Sequence, residues 1–351
     1  MAKSMNSLSE TTKKAALPTT RYMGSKRALL PFIQKHVEKL PCTRVLDAFS
    51  GTSCVSYMLK SMGKEVHSND FLRFCYHVSN AVIANNTTQL SNTDLEALLK
   101  DNPKKETFVQ DTFGERYFGE QDNLFLDNLW ANLVLLKDSF KKSIALAAIA
   151  RACMKKRPRG IFTFTGNKSW DGRRDLRLSL EDHFIAAVHE WNAALFNNGQ
   201  KNKALNLDVF KVDPKSYDLV YMDTPYVSPY SDCDYVRRYH FVEGYCRHWK
   251  GVEIRQDTLT KKFKSYPTAF ATPRTAEESF LKLFEHFQKS TLVVSYSSNA
   301  IPFKKDMMRL LRNFKKNVVC HEVAHKYSFG NHSHKVGDNN NSVKEFIFIA
   351  Q

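Results

Sequence analysis

Tyr217-Asp218-Leu219-Val220-Tyr221-Met222-Asp223-Thr224-Pro225-Tyr226 is the stretch on which the fold turns. A short apolar run closed by a proline turn reads as a strand buried in a sheet. The run ends in an acid, a turn and a ring, so one sheet edge receives a carboxylate, a backbone carbonyl left free by the proline, and a flat aromatic face. That set suits an exocyclic amine on a planar base: two acceptors take its hydrogens while the ring holds the base.

Upstream, Arg44-Val45-Leu46-Asp47-Ala48-Phe49 reads as a second buried strand, broken at Ser50-Gly51-Thr52. Ser53 to Met62 then takes helical spacing, with Gly63 as its C-cap. Lys64 to Asp70 is a short strand that ends in an acid. Strand, glycine turn, helix, strand and acid make one unit of a doubly wound α/β sheet. Asp70 falls where a nucleoside-binding sheet places a carboxylate on the ribose. The turn lacks the full Gly-x-Gly-x-x-Gly pattern and Asp47 precedes it, which suits a cationic nucleoside without phosphate, such as S-adenosylmethionine (AdoMet). Residues 204–210, 291–296, 317–323 and 343–350 complete an expected seven strands, the last two as a hairpin. Asp70, Asp208 and Asp223 are expected at successive strand ends around one crevice.

The interval 85–203 does not read as sheet. Leu124 to Met154 and Ser179 to Leu195 have helical patterns, and Ile161 to Gly166 is expected as strand and turn. Between Arg151 and Arg177 stand nine basic residues against Asp171 and Asp175, with Phe162, Phe164 and Trp170 interleaved. The whole chain of 351 residues carries a net charge of +16, so a polyanionic partner is expected. The domain reading is a flexible tail over 1–20, a catalytic domain over 21–84 and 204–351, and a basic helical insertion over 85–203. Seven scattered cysteines, none as Cys-x-x-Cys, point to neither disulfides nor a cysteine metal site. A cytoplasmic setting with no membrane span fits this composition.

With these residues in view, the chain resembles the Dam-like DNA adenine-N6 methyltransferases with permuted motif order. Tyr22-Met23-Gly24-Ser25-Lys26 looks like their N-terminal Gly-x-Lys loop, Phe49-Ser50-Gly51 like their cofactor loop, and Asp223-Thr224-Pro225-Tyr226 is one change from Asp-Pro-Pro-Tyr. The resemblance implies a Rossmann-like methyltransferase sheet with a target-recognition insertion, AdoMet as cofactor, no metal, and a flipped adenine in double-stranded DNA as substrate. A partner restriction endonuclease acting separately is a further implication. Carried over by position, Tyr22, Met23, Lys26, Asp47, Phe49, Gly51, Asp70, Asp208 and Asp223 would border AdoMet. Asp223, Thr224, Pro225 and Tyr226 would meet the adenine. Arg157, Arg159, Lys168, Arg173, Arg174 and Arg177 would lie along the nucleic acid. Thr224 departs from the usual proline: its carbonyl survives, but the fixed φ of proline is lost.

Other readings compete. An RNA adenine or a cytosine-N4 methyltransferase would share most of these features, although the cytosine enzymes usually open their motif with serine. A non-catalytic DNA-binding relative is suggested only by Thr224. His321-Glu322-Val323-Ala324-His325 fits the His-Glu-x-x-His pattern of zinc hydrolases, which requires a helix. Residues 317–320 lead in as a strand, on which positions four apart lie about 13 Å apart, too far for one zinc.

Overall fold

The computed structural model describes residues 16–165, 173–225, 234–266, 268–270, 272–326 and 342–351. Seven strands form one sheet: β1 (Arg44–Asp47), β2 (Glu65–Asn69), β3 (Lys203–Leu205), β4 (Leu219–Met222), β5 (Thr291–Ser297), β6 (Val318–Lys326) and β7 (Ser342–Ala350). Their order is β3-β2-β1-β4-β5-β7-β6. The first five are parallel, and β7 runs antiparallel between β5 and β6. All seven expected strands are present.

Alternate residues along each strand enter two different cores, as the strand period of two requires. Val45, Leu219, Tyr221 and Val293 face one core, whereas Leu46, Val220, Met222, Leu292 and Val294 face the other. The first is covered by α1 (Leu30–Val37), α2 (Cys54–Ser61) and α3 (Arg73–Ser79). Residues of the long interval join the same core through α4 (Asn92–Leu99), α5 (Phe108–Phe113), α6 (Glu120–Asn132) and α7 (Ser139–Lys156), on which the single turn α8 (Arg174–Arg177) packs, and through α9 (Leu180–Ala193); α10 (Tyr235–Arg247), after β4, joins it too. The second core is closed by α11 (Pro273–His286) and α12 (Lys304–Arg312). Phe280, Leu283 and Leu310 of these helices are almost wholly buried, each contributing about 1.5–3 kcal/mol by leaving water. With helices on both faces, the sheet is the expected doubly wound kind.

Several local expectations are corrected. The segment from Leu124 to Met154 is two helices, because the chain breaks at Leu136 and restarts with Asp138 capping α7 through the Phe140 and Lys141 amides. No strand forms at the described residues 161–165; Phe162 is instead buried and stacks on Phe241 at 5.1 Å. β3 stops at Leu205, short of Asp208. Of the expected tail, residues 1–15 lie outside the described residues, but Leu17 is buried and its carbonyl accepts from Arg27. His321 to His325 lie on β6, so the zinc-hydrolase reading lacks its helix.

Candidate active site

The strand ends β1, β2 and β4 meet the loop before α1 in a cleft of about 640 Å³, partly open to solvent. Three acids line it. Asp47, at the end of β1, accepts through Oδ2 from the Ser56 amide at 3.1 Å and the Ser56 hydroxyl at 2.6 Å, which fixes the start of α2. Its Oδ1 is buried with no hydrogen-bond partner among the described residues, and burial pushes the carboxyl up to about 7. Asp70 follows β2 and accepts from the Gly51 amide at 2.8 Å and the Leu72 amide at 2.9 Å. Burial raises it to about 6 despite those backbone bonds. Asp223 follows β4 and pairs with Lys26 Nζ at 2.8 Å. Burial also raises Asp223 to about 6, with the Lys26 charge holding it down.

The loop carrying Lys26 is held from the far side of the cleft. The Met23 amide donates to the Tyr239 hydroxyl at 2.8 Å, and the Tyr235 hydroxyl donates to the Met23 carbonyl at 3.4 Å. Both tyrosines lie in the first turns of α10, four residues apart and hence on one helix face. Tyr22 stacks on Tyr239 at 4.9 Å and on Tyr235 at 5.5 Å. Two glycines are required here. A Cβ on Gly51 would stand 3.1 Å from the Tyr22 ring, and one on Gly24 would stand 2.9 Å from the Tyr235 hydroxyl; both have positive φ.

Tyr22, Lys26, Asp47, Phe49, Gly51, Asp70 and Asp223 therefore come together in the cleft, with Thr224 and Pro225 on the same wall. Tyr226 and Lys168 lie outside the described residues. Met23 is placed differently from expectation: its side chain is exposed and does not line the cleft, and its backbone makes the contacts. Asp208 is also displaced. It is exposed and caps a short 3-10 turn through the Phe210 amide, because β3 ends too early to deliver it to the crevice.

The basic stretch is only partly a surface. Arg157 is fully buried, donates to the carbonyls of Tyr117 and Phe164, and lies over the rings of both. Planar guanidinium stacks well on aromatic faces, and the two carbonyls take Nη1 and Nη2 while Nε has no hydrogen-bond partner among the described residues; burial removes the group from any phosphate. Arg151 is likewise buried and paired with Glu190. Arg159, Arg174 and Arg177 are exposed, and the half-buried Arg173 donates to the Pro158 carbonyl. The tyrosines of α10 escaped the sequence reading; an Asp234 cap with tyrosines at 235 and 239 directly after the Asp223 motif was the available signal.

Residues 22–301 match the family model of the D12 class N6 adenine-specific DNA methyltransferases. The chain belongs to this family. It is 28% identical to the type II methyltransferase M2.HphI of Haemophilus parahaemolyticus, over 95% of this chain and 98% of that protein. It is 26% identical to the modification methylase StsI of Streptococcus sanguinis, where 94% of this chain spans 52% of the relative. It is 22% identical to the type II methyltransferase M.CviAII of Paramecium bursaria Chlorella virus 1, covering 94% of this chain and 97% of the relative. An adenine methyltransferase needs a methyl donor beside its acceptor. The cleft of this D12 chain carries an unsatisfied buried carboxylate oxygen on Asp47 suited to a cationic group. No helix among the described residues is long and apolar enough to cross a membrane.

Proposed function

We propose that this methyltransferase uses S-adenosylmethionine to methylate N6 of an adenine turned out of double-stranded DNA, within a restriction–modification system. The observation that carries this reading is the Lys26–Asp223 pair lining a cleft that also holds Asp47 and Asp70. When bound, AdoMet supplies an electrophilic methyl group on a sulfonium. The protein residues supply everything else. Asp47 Oδ1 would take the cationic amino group of the donor, and that charge would favour its ionised form. Asp70 shapes the Gly51 turn and retains lone pairs for the ribose hydroxyls. Phe49, held edge-on against Phe270, borders the donor.

Asp223 and the Thr224 carbonyl accept hydrogen bonds from the two N6–H groups, which would turn the nitrogen lone pair toward the side where the donor would be held, and ionised Asp223 can take the one proton that N6 sheds on methylation. Lys26 keeps Asp223 ionised and fixes its orientation, so the acceptor is in place before the base arrives. Pro225 sets the turn and Tyr226 stacks on the extruded base, whose unstacking costs about a few kcal/mol. The exposed Arg159, Arg174 and Arg177, with Arg173 and Lys168, lie along the phosphates, and the interval 85–203 reads the target sequence. A separate cognate endonuclease would complete the system.

The test is methyl transfer from tritium-labelled AdoMet to duplex DNA, single-stranded DNA and RNA, followed by nucleoside analysis of the product. Label in N6-methyladenine from duplex DNA is the expected result. Label in cytosine, in RNA, or nowhere would overturn the reading.

A further inference from the structure

Residues 250–264 carry five basic residues against Glu253 and Asp257, and nothing in the cleft chemistry uses them. Their backbone forms a tight hairpin. Ile254 bridges Phe263 in antiparallel fashion, the Arg255 amide donates to the Lys262 carbonyl at 2.9 Å, and Lys261 takes a left-handed φ of 48° to close the turn. The root is fixed in the core, since Phe263 is 1% exposed.

At the tip stands Leu259, whose side chain is 81% exposed, more than any other large hydrophobic residue described. Single exposed leucines are ordinary on protein surfaces. This one is held: its carbonyl accepts from Arg116 Nε at 3.0 Å, and the next carbonyl, of Thr260, accepts from the buried Tyr117 hydroxyl at 2.7 Å. Two side chains from the insertion thus fix the backbone of an apolar residue that projects into solvent beside Lys261, Lys262 and Lys264. The base of the hairpin is joined to the cleft. Ser265 donates to Asp234, the cap of α10, at 2.6 Å, and Tyr266 packs edge-on against Phe71 of the cleft wall at 5.8 Å.

The geometry points to the hairpin 254–263 as a DNA-contacting finger at the cleft rim, with Leu259 entering the duplex beside the target base and Lys261, Lys262 and Lys264 along the flanking phosphates. This rests on the reading of the cleft as the methyl-transfer site. An apolar wedge suits a base step that must be unstacked, because it replaces base stacking with apolar contact. The lysines suit the backbone on either side, where affinity comes from counterion release.

The experiment uses the full chain, a long natural duplex DNA with tritium-labelled AdoMet for transfer, and a fluorescent random-sequence duplex for binding across a salt series. Leu259→Ala is expected to lower transfer about tenfold or more while leaving random-duplex binding within about twofold, because extrusion and not docking is impaired. Leu259→Met, which keeps an apolar tip, should retain most of the transfer. Replacing the three lysines with glutamine should flatten the log–log salt dependence by about 0.9 for each phosphate no longer neutralised. AdoMet affinity should be unchanged in every variant. Wild-type transfer by Leu259→Ala overturns the wedge, and an unchanged salt slope in the lysine variant overturns the phosphate contacts. If the unaltered protein transfers no methyl group to DNA, the reading of the cleft fails first, and the finger falls with it.

Discussion

The cleft wall and the basic stretch from 151 to 177 both bury a cation, and they partner it by different means. Lys26 is 3% exposed and meets a carboxylate at the edge of a cavity. Arg157 is 0% exposed and, among the described residues, meets carbonyls and aromatic faces instead of an acid, so burial lowers its pKa to about 10. In the proposed reaction the first cation holds an acceptor ready for chemistry. The second staples the carbonyl of Tyr117 to that of Phe164 and does its work in the core. A positive residue in a positive stretch thus does not mark a surface, whereas an acid at the end of a central strand does mark a crevice.

The largest effect expected on the cleft side is that of Asp223→Ala, which should slow methyl transfer by about 10²- to 10³-fold or more, because a preorganised acceptor is removed. Single-turnover transfer at saturating AdoMet checks this, and near-normal turnover would remove the site's central assignment. On the other side, Arg157→Ala should lower stability by about 3 kcal/mol, through two abandoned carbonyls and the emptied space between aromatic rings, while Arg174→Ala stays within about 0.5 kcal/mol. Chemical denaturation of both variants measures the difference. An Arg157→Ala protein that folds normally but binds DNA weakly would collapse the contrast.

A smaller, pH-dependent pair of effects separates the acids of the cleft. The proposed mechanism requires ionised Asp223, so the transfer rate should fall as pH drops through about 6, and Lys26→Met should shift that limb to higher pH. The Asp47 carboxyl, raised to about 7, contributes stability that is fully present below the ordinary carboxylate range and is lost as pH rises through 7. Relative to Asp47→Asn, the unaltered protein should therefore lose stability between pH 5 and 7.5, by up to about 1.4 kcal/mol per pH unit. Thermal denaturation of the two proteins across that range gives the difference curve, and a flat curve would put Asp47 in contact with water or an unrecognised partner. The smallest expected effect is that of Asp208→Ala, whose AdoMet affinity by calorimetry should match the unaltered protein. A large loss would return Asp208 to the crevice.

What could be read from the chain divides along the same line. β1 and β4 follow from short continuous apolar runs, and β2 from its place between Gly63 and Asp70, so these strands and the acids Asp70 and Asp223 after them were legible, as was the doubly wound class. Asp208 was misplaced because the run 204–210 looks like one strand, while the Asp208 side chain prefers to cap a turn through the Phe210 amide. Arg157 was misplaced because composition is silent on burial: only the aromatic neighbours Tyr117 and Phe164, distant or bent back in the chain, make room for it. The Tyr235 and Tyr239 clamp on Met23 spans more than 200 residues of sequence, and no local pattern can announce a contact of that range.

The pairing of β1 with β4 has a consequence for how the molecule is made. Val45 lies against Leu219, and the whole interval of helices is synthesised between them. The middle of the sheet therefore cannot close while the nascent chain is shorter than about 220 residues, and the Lys26 loop waits longer still, for Tyr239 to clear the ribosome. Until then β1 can pair only with β2, leaving an open hydrogen-bonding edge that invites other strands. Vectorial synthesis makes the cleft one of the later parts of this enzyme to exist, and a chain stalled before residue 219 would present that edge to chaperones instead of a finished sheet.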